Sequence, residues 1–479
     1  MTPRVVVVGG GVSGLAAAHR IREERPDVEV LVLERADRVG GSLHTAEVCG
    51  VVVDVGAEAM LNRRPEGVEL ARRVGLEGDV VYPATTWANL WNRGRLVPMP
   101  RTMMGVPLDL RGLDGIISAR GLARAALDNV LPPTELGERD ISVGDLVEER
   151  LGKEIVDRLV EPLLGGVYAG HAREISARAA VPQMVALLEQ DRSLTRAAAA
   201  ATPPAAQAAA DPVFAGIRGG VGRLPGALAE TSGATVRSNA TVRDLARRPD
   251  GGWNLVVGST RDPEIVQADA VVLATPARAT ARLLSDVTPT AALTLARIDY
   301  ASVAIVTMAF PARAFPQVRG SGFLVPPVDG RSVKASTFSF AKWDWVRQAG
   351  AEAGADADAG AGVGEEMLVM RCSIGRHREE ATLQVSDEEL VEVVLNDLTD
   401  AIGLSVRPAD SHVQRWGGAL PQYAVGHLTR IASVRADVAA LPGLAVCGSA
   451  YDGVGIPACI ASAHLAATQI LTRLPPPTR

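Results

Sequence analysis

Gly9, Gly11 and Gly14 stand at the spacing that lets a backbone wrap a pyrophosphate, and Glu34 follows twenty residues beyond Gly14. The first two glycines suit a tight turn that brings main-chain N–H groups against phosphate oxygens. The third lets a helix pack close to its sheet. Glu34 is the residue type that grips a ribose 2'-hydroxyl. A glycine triad alone is a weak signal. Here it follows the strand-like run Val5-Val6-Val7-Val8 and opens a helix from Leu15 to about Glu24, whose first amides suit an anion. A second strand, Val28 to Leu33, delivers Glu34. Strand, triad, helix, strand and acid in register predict a dinucleotide site.

The remaining residues set limits. Cys49, Cys372, Cys447 and Cys459 have neither metal-type spacing nor the density of a disulfide scaffold. No metal is expected, and each cysteine reads as a small buried hydrophobe in a reducing compartment. A formal charge of -6 supplies no basic excess for nucleic-acid binding. The first strand begins at residue 5, which leaves no room for a signal peptide, and there is no apolar run of about 18 residues. A cytoplasmic protein with at most peripheral membrane contact is the expectation.

These groups need elements to hold them. A chain of 479 residues with 47% apolar content exceeds one core and predicts several domains. Residues 62–76 read as a helix, and Val80 to Leu96 as strand with Trp87 and Trp91 on one face. From Gly112 to Leu188 the pattern is helical, with an apolar stripe through Leu146, Val147, Leu151, Ile155, Val156 and Leu159. Residues 197–213, mostly alanine and proline, read as an exposed helical extension or loop, and 349–364, rich in alanine, glycine and aspartate, as a disordered loop. Strands are expected at 234–237, 253–257, 268–275, 300–309 and 367–374, and a helix from Ser386 to about Leu404. Leu444 to Gly448 forms a strand into a turn, and Gly453-Val454-Gly455-Ile456-Pro457 precedes a last helix. A second glycine-bordered helix start so far from the first implies a discontinuous nucleotide domain built from 1–75, 215–290 and 410–475. A substrate domain would comprise 76–100 and 291–409, and a helical lobe 101–200.

The chain resembles the flavin monoamine-oxidase superfamily and, more closely, its porphyrinogen oxidases of haem synthesis. The resemblance rests on Val8 through Ala18, on Leu33-Glu34-Arg35 through Gly40-Gly41-Ser42, and on Pro162 through Gly170, which distinguishes the porphyrinogen group from general amine oxidases. Trp416, Pro421-Gln422-Tyr423, Gly426-His427, Gly448-Ser449 and Gly453 to Pro457 follow in the same order. The chain departs from the pattern at His171, where aspartate is usual, at Ser449 for asparagine and at Ala458 for aspartate. It carries Ala57-Glu58 where some members place a basic residue near a substrate carboxylate.

This resemblance implies an α/β and α+β fold: a Rossmann-like FAD-binding domain, a mixed-sheet substrate domain and a helical lobe, as in monoamine oxidases. It implies FAD as cofactor and a porphyrinogen and dioxygen as reactants, with transient contact to other enzymes of the haem pathway. Six hydrogens leave the macrocycle as three two-electron steps, and dioxygen becomes hydrogen peroxide. Flavin contacts are expected from Gly9, Gly11, Gly14, Glu34, Arg35, Gly41, Ser42, Val236, Trp416, Gly448, Val454, Gly455 and Ile456. Val236 reads equally as an ordinary sheet residue and Trp416 as a core tryptophan. No catalytic side chain is assigned, although Tyr168 and His171 lie where they would border the active site. Arg63, Arg64, Lys342, Arg371, Arg376 and His377 are candidates for substrate propionates, each with a plain surface charge as the competing reading. Composition typical of a high-GC genome favours the Gram-positive branch and coproporphyrinogen III. Protoporphyrinogen IX oxidation, and a non-catalytic flavin-binding scaffold, remain the alternatives.

Overall fold

The computed structural model describes residues 2–188, 191–202, 212–249, 251–357 and 365–476. The four-valine run becomes the central strand Arg4–Val8 of a five-stranded parallel sheet. Its order is Thr235–Arg237, Glu29–Leu33, Arg4–Val8, Ala270–Leu273, Leu444–Val446. Alternation explains why all four valines are apolar. Val5 and Val7 face a core shared with Leu15, Ile21 and Ile460, while Val6 and Val8 face Trp253, Leu255 and Val434. A sheet covered on both sides needs no polar face.

A second, seven-stranded sheet runs Asp410–Pro421, Tyr300–Pro311, Met367–Ile374, Val333–Thr337, Gly322–Leu324, Asn89–Asn92, Arg95–Pro98. Gly322–Leu324 and Asn89–Asn92 pair parallel, and the other neighbours antiparallel. The helix Asp387–Ile402 covers one face, started by a capping box between Ser386 and Glu389.

The helical region has its own core. Leu146, Val147, Leu151, Ile155, Val156 and Leu159 are all buried in it, as the stripe predicts. The stripe is not one helix. It breaks at Gly152 (φ 90°), and a wider turn at Val156–Val160 leads into the helix Glu161–Tyr168.

Three expectations are corrected. Trp87 is exposed and lies outside the strand Asn89–Asn92, because the chain turns at Thr85, whose hydroxyl takes the Trp87 N–H; Trp91 alone is buried. Ala197 and Ala198 lie in a helix, Leu194–Ala201, as one of the two readings had it, but are buried instead of exposed, their small side chains permitting close packing; 203–211 lie outside the described residues. Ala349 to Ala357 complete a helix begun at Asp344, and 358–364 lie outside the described residues. The glycines that suggested a loop have a packing role. A Cβ on Gly350 would lie 2.0 Å from the Met367 carbonyl oxygen, and one on Gly354 would lie 1.9 Å from that of Glu365. Two glycines one helical turn apart let the helix rest on the backbone of the neighbouring segment.

Candidate active site

The carboxyl ends of the five parallel strands share one edge, the place where open α/β sheets hold nucleotides. Gly9 N–H donates to the Leu33 carbonyl at 2.8 Å, which locks the first two strand ends together. A Cβ on Gly14 would sit 1.9 Å from the Gly9 carbonyl oxygen, so the helix Val12–Glu24 starts directly on the turn. Gly40 N–H donates to the Gly10 carbonyl at 2.8 Å and lays Gly41 and the exposed Ser42 beside Gly11.

From the other end of the chain, Leu444–Val446 leads through Gly448 to Gly455, the N-cap of the helix Ile456–Leu471. This helix packs along Val12–Glu24, and Cys459 in its first turn donates from Sγ back to the Gly453 carbonyl at 3.8 Å. Neither helix has a side-chain cap or an acidic residue in its first turn. Both therefore offer unpaired N–H groups to an anion. A Cβ on Gly11 or on Gly448 would meet no atom within 4 Å, so the backbone is left bare where a ligand can approach it. The residues present fit a dinucleotide diphosphate.

The expected residues fall into distinct settings. Glu34 accepts from Gly10 N–H at 2.6 Å and from Ala36 N–H at 2.8 Å. It therefore braces the glycine turn, and each oxygen keeps a lone pair for another donor. Arg35 is exposed, and Val236 pairs beside Val32 in the sheet. Trp416 donates from Nε1 to the Val55 carbonyl at 2.9 Å and packs against Ala169, Ala301 and Val303. It ties the second sheet to the turn at Asp54–Gly56. Val454 packs against the helical core that contains Tyr168, which brings the last glycine turn to the mid-chain segment.

Tyr168 is buried, its ring 5.6 Å from that of Tyr423, and burial pushes its phenol up to about 12. It stays protonated at neutral pH. His171 is half-buried, its Nε2 3.1 Å from the His377 carbonyl oxygen and 3.8 Å from Glu379. Tyr423, part of a motif visible in the sequence but given no role there, donates to the Ser449 carbonyl and stacks on His427 at 3.9 Å.

The six candidate cations do not form one cluster. Lys342 pairs with Glu58 at 2.8 Å, and Arg371 donates to the carbonyls of Asp54 (3.0 Å) and Gly56 (2.7 Å). Burial pushes Glu58 up, but Lys342 and Arg371 outweigh it and hold the carboxyl at about 2. Asp54 accepts from Val221 and Gly222 N–H at 2.9 Å each, yet burial keeps its carboxyl up at about 7. Arg64 pairs with Glu66 at 2.6 Å, and Arg63 is exposed. Arg376 and His377 are buried at the far end of Met367–Ile374, and burial lowers the Arg376 pKa. The sequence reading missed Lys334, which is buried within Val333–Thr337.

Comparison with known proteins agrees with this construction. The family of flavin-containing amine oxidoreductases matches residues 12–471. The chain is 36% identical to a coproporphyrinogen III oxidase of Mycobacterium bovis, over 99% of each chain. A solved structure from Exiguobacterium sp. 255-15, provisionally assigned as a protoporphyrinogen oxidase, is 30% identical with a TM-score of 0.85, covering 99% of this chain and 100% of its own. Cyclohexylamine oxidase from Brevibacterium oxydans, 16% identical, shares the fold with a TM-score of 0.70 over 98% of this chain and 99% of its own. The chain belongs to the flavin-containing amine oxidoreductase family, in its porphyrinogen oxidase branch, and its cofactor is FAD.

Proposed function

We propose that this protein oxidises coproporphyrinogen III to coproporphyrin III in haem synthesis. The observation that carries this reading is the packing of Val454, from the C-terminal glycine turn, against the core containing Tyr168 of the porphyrinogen-type segment. The similarity to a coproporphyrinogen III oxidase over nearly the whole chain supports the same substrate. Bound FAD supplies two-electron acceptance three times per macrocycle, and three dioxygen molecules carry the electrons away as hydrogen peroxide.

The chain's own residues bind, orient and exclude water. Gly9, Gly11, Gly14, Gly41, Ser42, Gly448, Val454, Gly455 and Ile456 are the proposed flavin contacts along the sheet edge and its two helix starts. Glu34, Arg35 and Val236 are those on the adenosine side, and Trp416 the one nearest the second sheet. Tyr168 and His171 border the porphyrinogen cleft, where an apolar wall and a protonated phenol hold the macrocycle without taking protons from it. The FAD-binding half comprises 1–75, 215–290 and 410–475, the substrate half 76–100 and 291–409, and the helical lobe 101–200. No helix among the described residues is long and apolar enough to cross a membrane. The proposed place of work is the cytoplasm, in transient contact with neighbouring haem-pathway enzymes.

Anaerobic mixing of the yellow protein with each porphyrinogen tests the reading. Faster flavin bleaching by coproporphyrinogen III than by protoporphyrinogen IX is expected. The reverse order makes protoporphyrinogen IX the substrate, and no bleaching or peroxide with either leaves a flavin-binding scaffold.

A further inference from the structure

Lys334 sits where the strand Val333–Thr337 departs from regular pairing. Val333 pairs with Ile374 and Ala335 with Ser373, so Lys334 is the extra residue of a bulge. Bulges re-aim side chains and recur beside active sites. One face of the sheet here is closed: Val333, Cys372 and Ile374 pack under Leu390, Val394 and Leu398. The opposite face carries Ala335, Thr337, Arg371 and Ser373, all only half-buried. The helix Glu161–Tyr168 packs on this strand and its neighbour Gly322–Leu324, yet its Gly166 and Val167 stay exposed. The porphyrinogen-type segment therefore lies directly against this part of the sheet, a Cβ on Gly166 standing 3.8 Å from the Leu324 side chain, with one edge of the helix open to solvent.

Lys334 is 4% exposed, and among the described residues its ammonium has no hydrogen-bond acceptor and no carboxylate within 4 Å. The charge acting on it is another buried cation, Arg376, whose guanidinium reaches the Arg331 and Val325 carbonyls only at 3.4 Å and Glu379 at 3.6 Å. A buried ammonium without a counter-ion is costly and calls for an anion. Burial, reinforced by Arg376, lowers its pKa to about 7, so an arriving carboxylate would restore the charge.

We propose that Lys334, raised on the bulge beside Arg376, is a binding residue for one carboxylate of the substrate. This rests on the porphyrinogen reading above and deepens it. A macrocycle with four carboxylates can spare one for this position while others remain in solvent, which makes Lys334 a determinant of preference by carboxylate number.

The test uses the FAD-loaded protein and the stable oxidised products, followed by porphyrin absorbance without turnover. Wild type, K334M and K334R are titrated with coproporphyrin III and with protoporphyrin IX. K334M is expected to weaken coproporphyrin III binding about tenfold or more, K334R to stay within about threefold, and flavin content to be unchanged. Coproporphyrin III binding by K334M as tight as that of wild type overturns the proposal and leaves the proposed function standing. Should K334M fail to fold, K334Q carries the same comparison, and if both lose flavin the lysine is structural and the proposal falls. A wild-type protein that binds neither porphyrin and oxidises neither porphyrinogen sinks both readings.

Discussion

The Tyr423 hydroxyl donates to the Ser449 carbonyl at 2.6 Å while its ring lies 5.6 Å from that of Tyr168. One side chain thus joins the mid-chain helix to the loop that leads into the last helix. Tyr423→Phe keeps the packing and leaves a carbonyl without its donor, at a cost of about 1–3 kcal/mol. A several-fold weaker FAD affinity is expected in a fluorescence titration of the apoprotein, with the far-UV spectrum unchanged.

Gly11 and Gly14 should fail in different ways. Space is open at Gly11, so Gly11→Ala is expected to fold with wild-type thermal stability as apoprotein and to purify colourless. At Gly14 the new methyl meets the Gly9 carbonyl, so Gly14→Ala should lower apoprotein stability as well as flavin content. Absorbance near the flavin band and thermal melts of the stripped proteins separate the two.

Lys342 and Glu58 form a largely buried pair, with side-chain exposures of 17% and 11%. Lys342→Met leaves Glu58 with the Ser339 hydroxyl at 2.8 Å and the charge of Arg371, and should cost about 3–5 kcal/mol in urea denaturation. The double variant Lys342→Met with Glu58→Leu should recover much of that loss. No recovery would mean that Glu58 has a partner besides the lysine that matters more.

Asp54 sets a pH dependence of definite sign. Burial raises its folded pKa from 3.8 to about 7, so the unfolded chain releases this proton first. Its contribution to stability is complete below pH 4 and is lost as pH rises through 7, by roughly 4 kcal/mol. Glu58 acts in the opposite window: its carboxyl is lowered from 4.5 to about 2, and stability falls as pH drops through that range. Asp54→Asn should flatten the neutral limb of a stability–pH profile and leave the acid limb in place.

The helix Asp344–Ala357 depends on its glycines. Gly354→Leu forces a side chain against the Glu365 carbonyl and should cost about 1–3 kcal/mol, whereas Glu352→Ala, on an exposed position of the same helix, should cost little.

What was legible in the sequence was local. The valine strand, the glycine triad and the helix after it follow from period and turn chemistry within about thirty residues, and the last helix from its own glycine turn at the other end of the chain. The Ala-Gly run after Trp345 misled because composition cannot distinguish a glycine that frees a loop from one that admits a neighbouring backbone. Lys342 and Arg371 looked like free cations because their partners, Glu58 and the Asp54–Gly56 carbonyls, lie some three hundred positions away. Lys334 escaped notice for a related reason: a lysine in a short strand reads as solvent-facing, and only pairing register exposes a bulge.

The parallel sheet has a consequence for synthesis. Its central strand, Arg4–Val8, pairs with Ala270–Leu273, which pairs in turn with Leu444–Val446. This apolar segment therefore waits for a strand more than four hundred positions later before its layer closes. A chain cut upstream of Leu444 leaves the Ala270–Leu273 edge unpaired, and is expected to aggregate rather than to fold into a weakened enzyme.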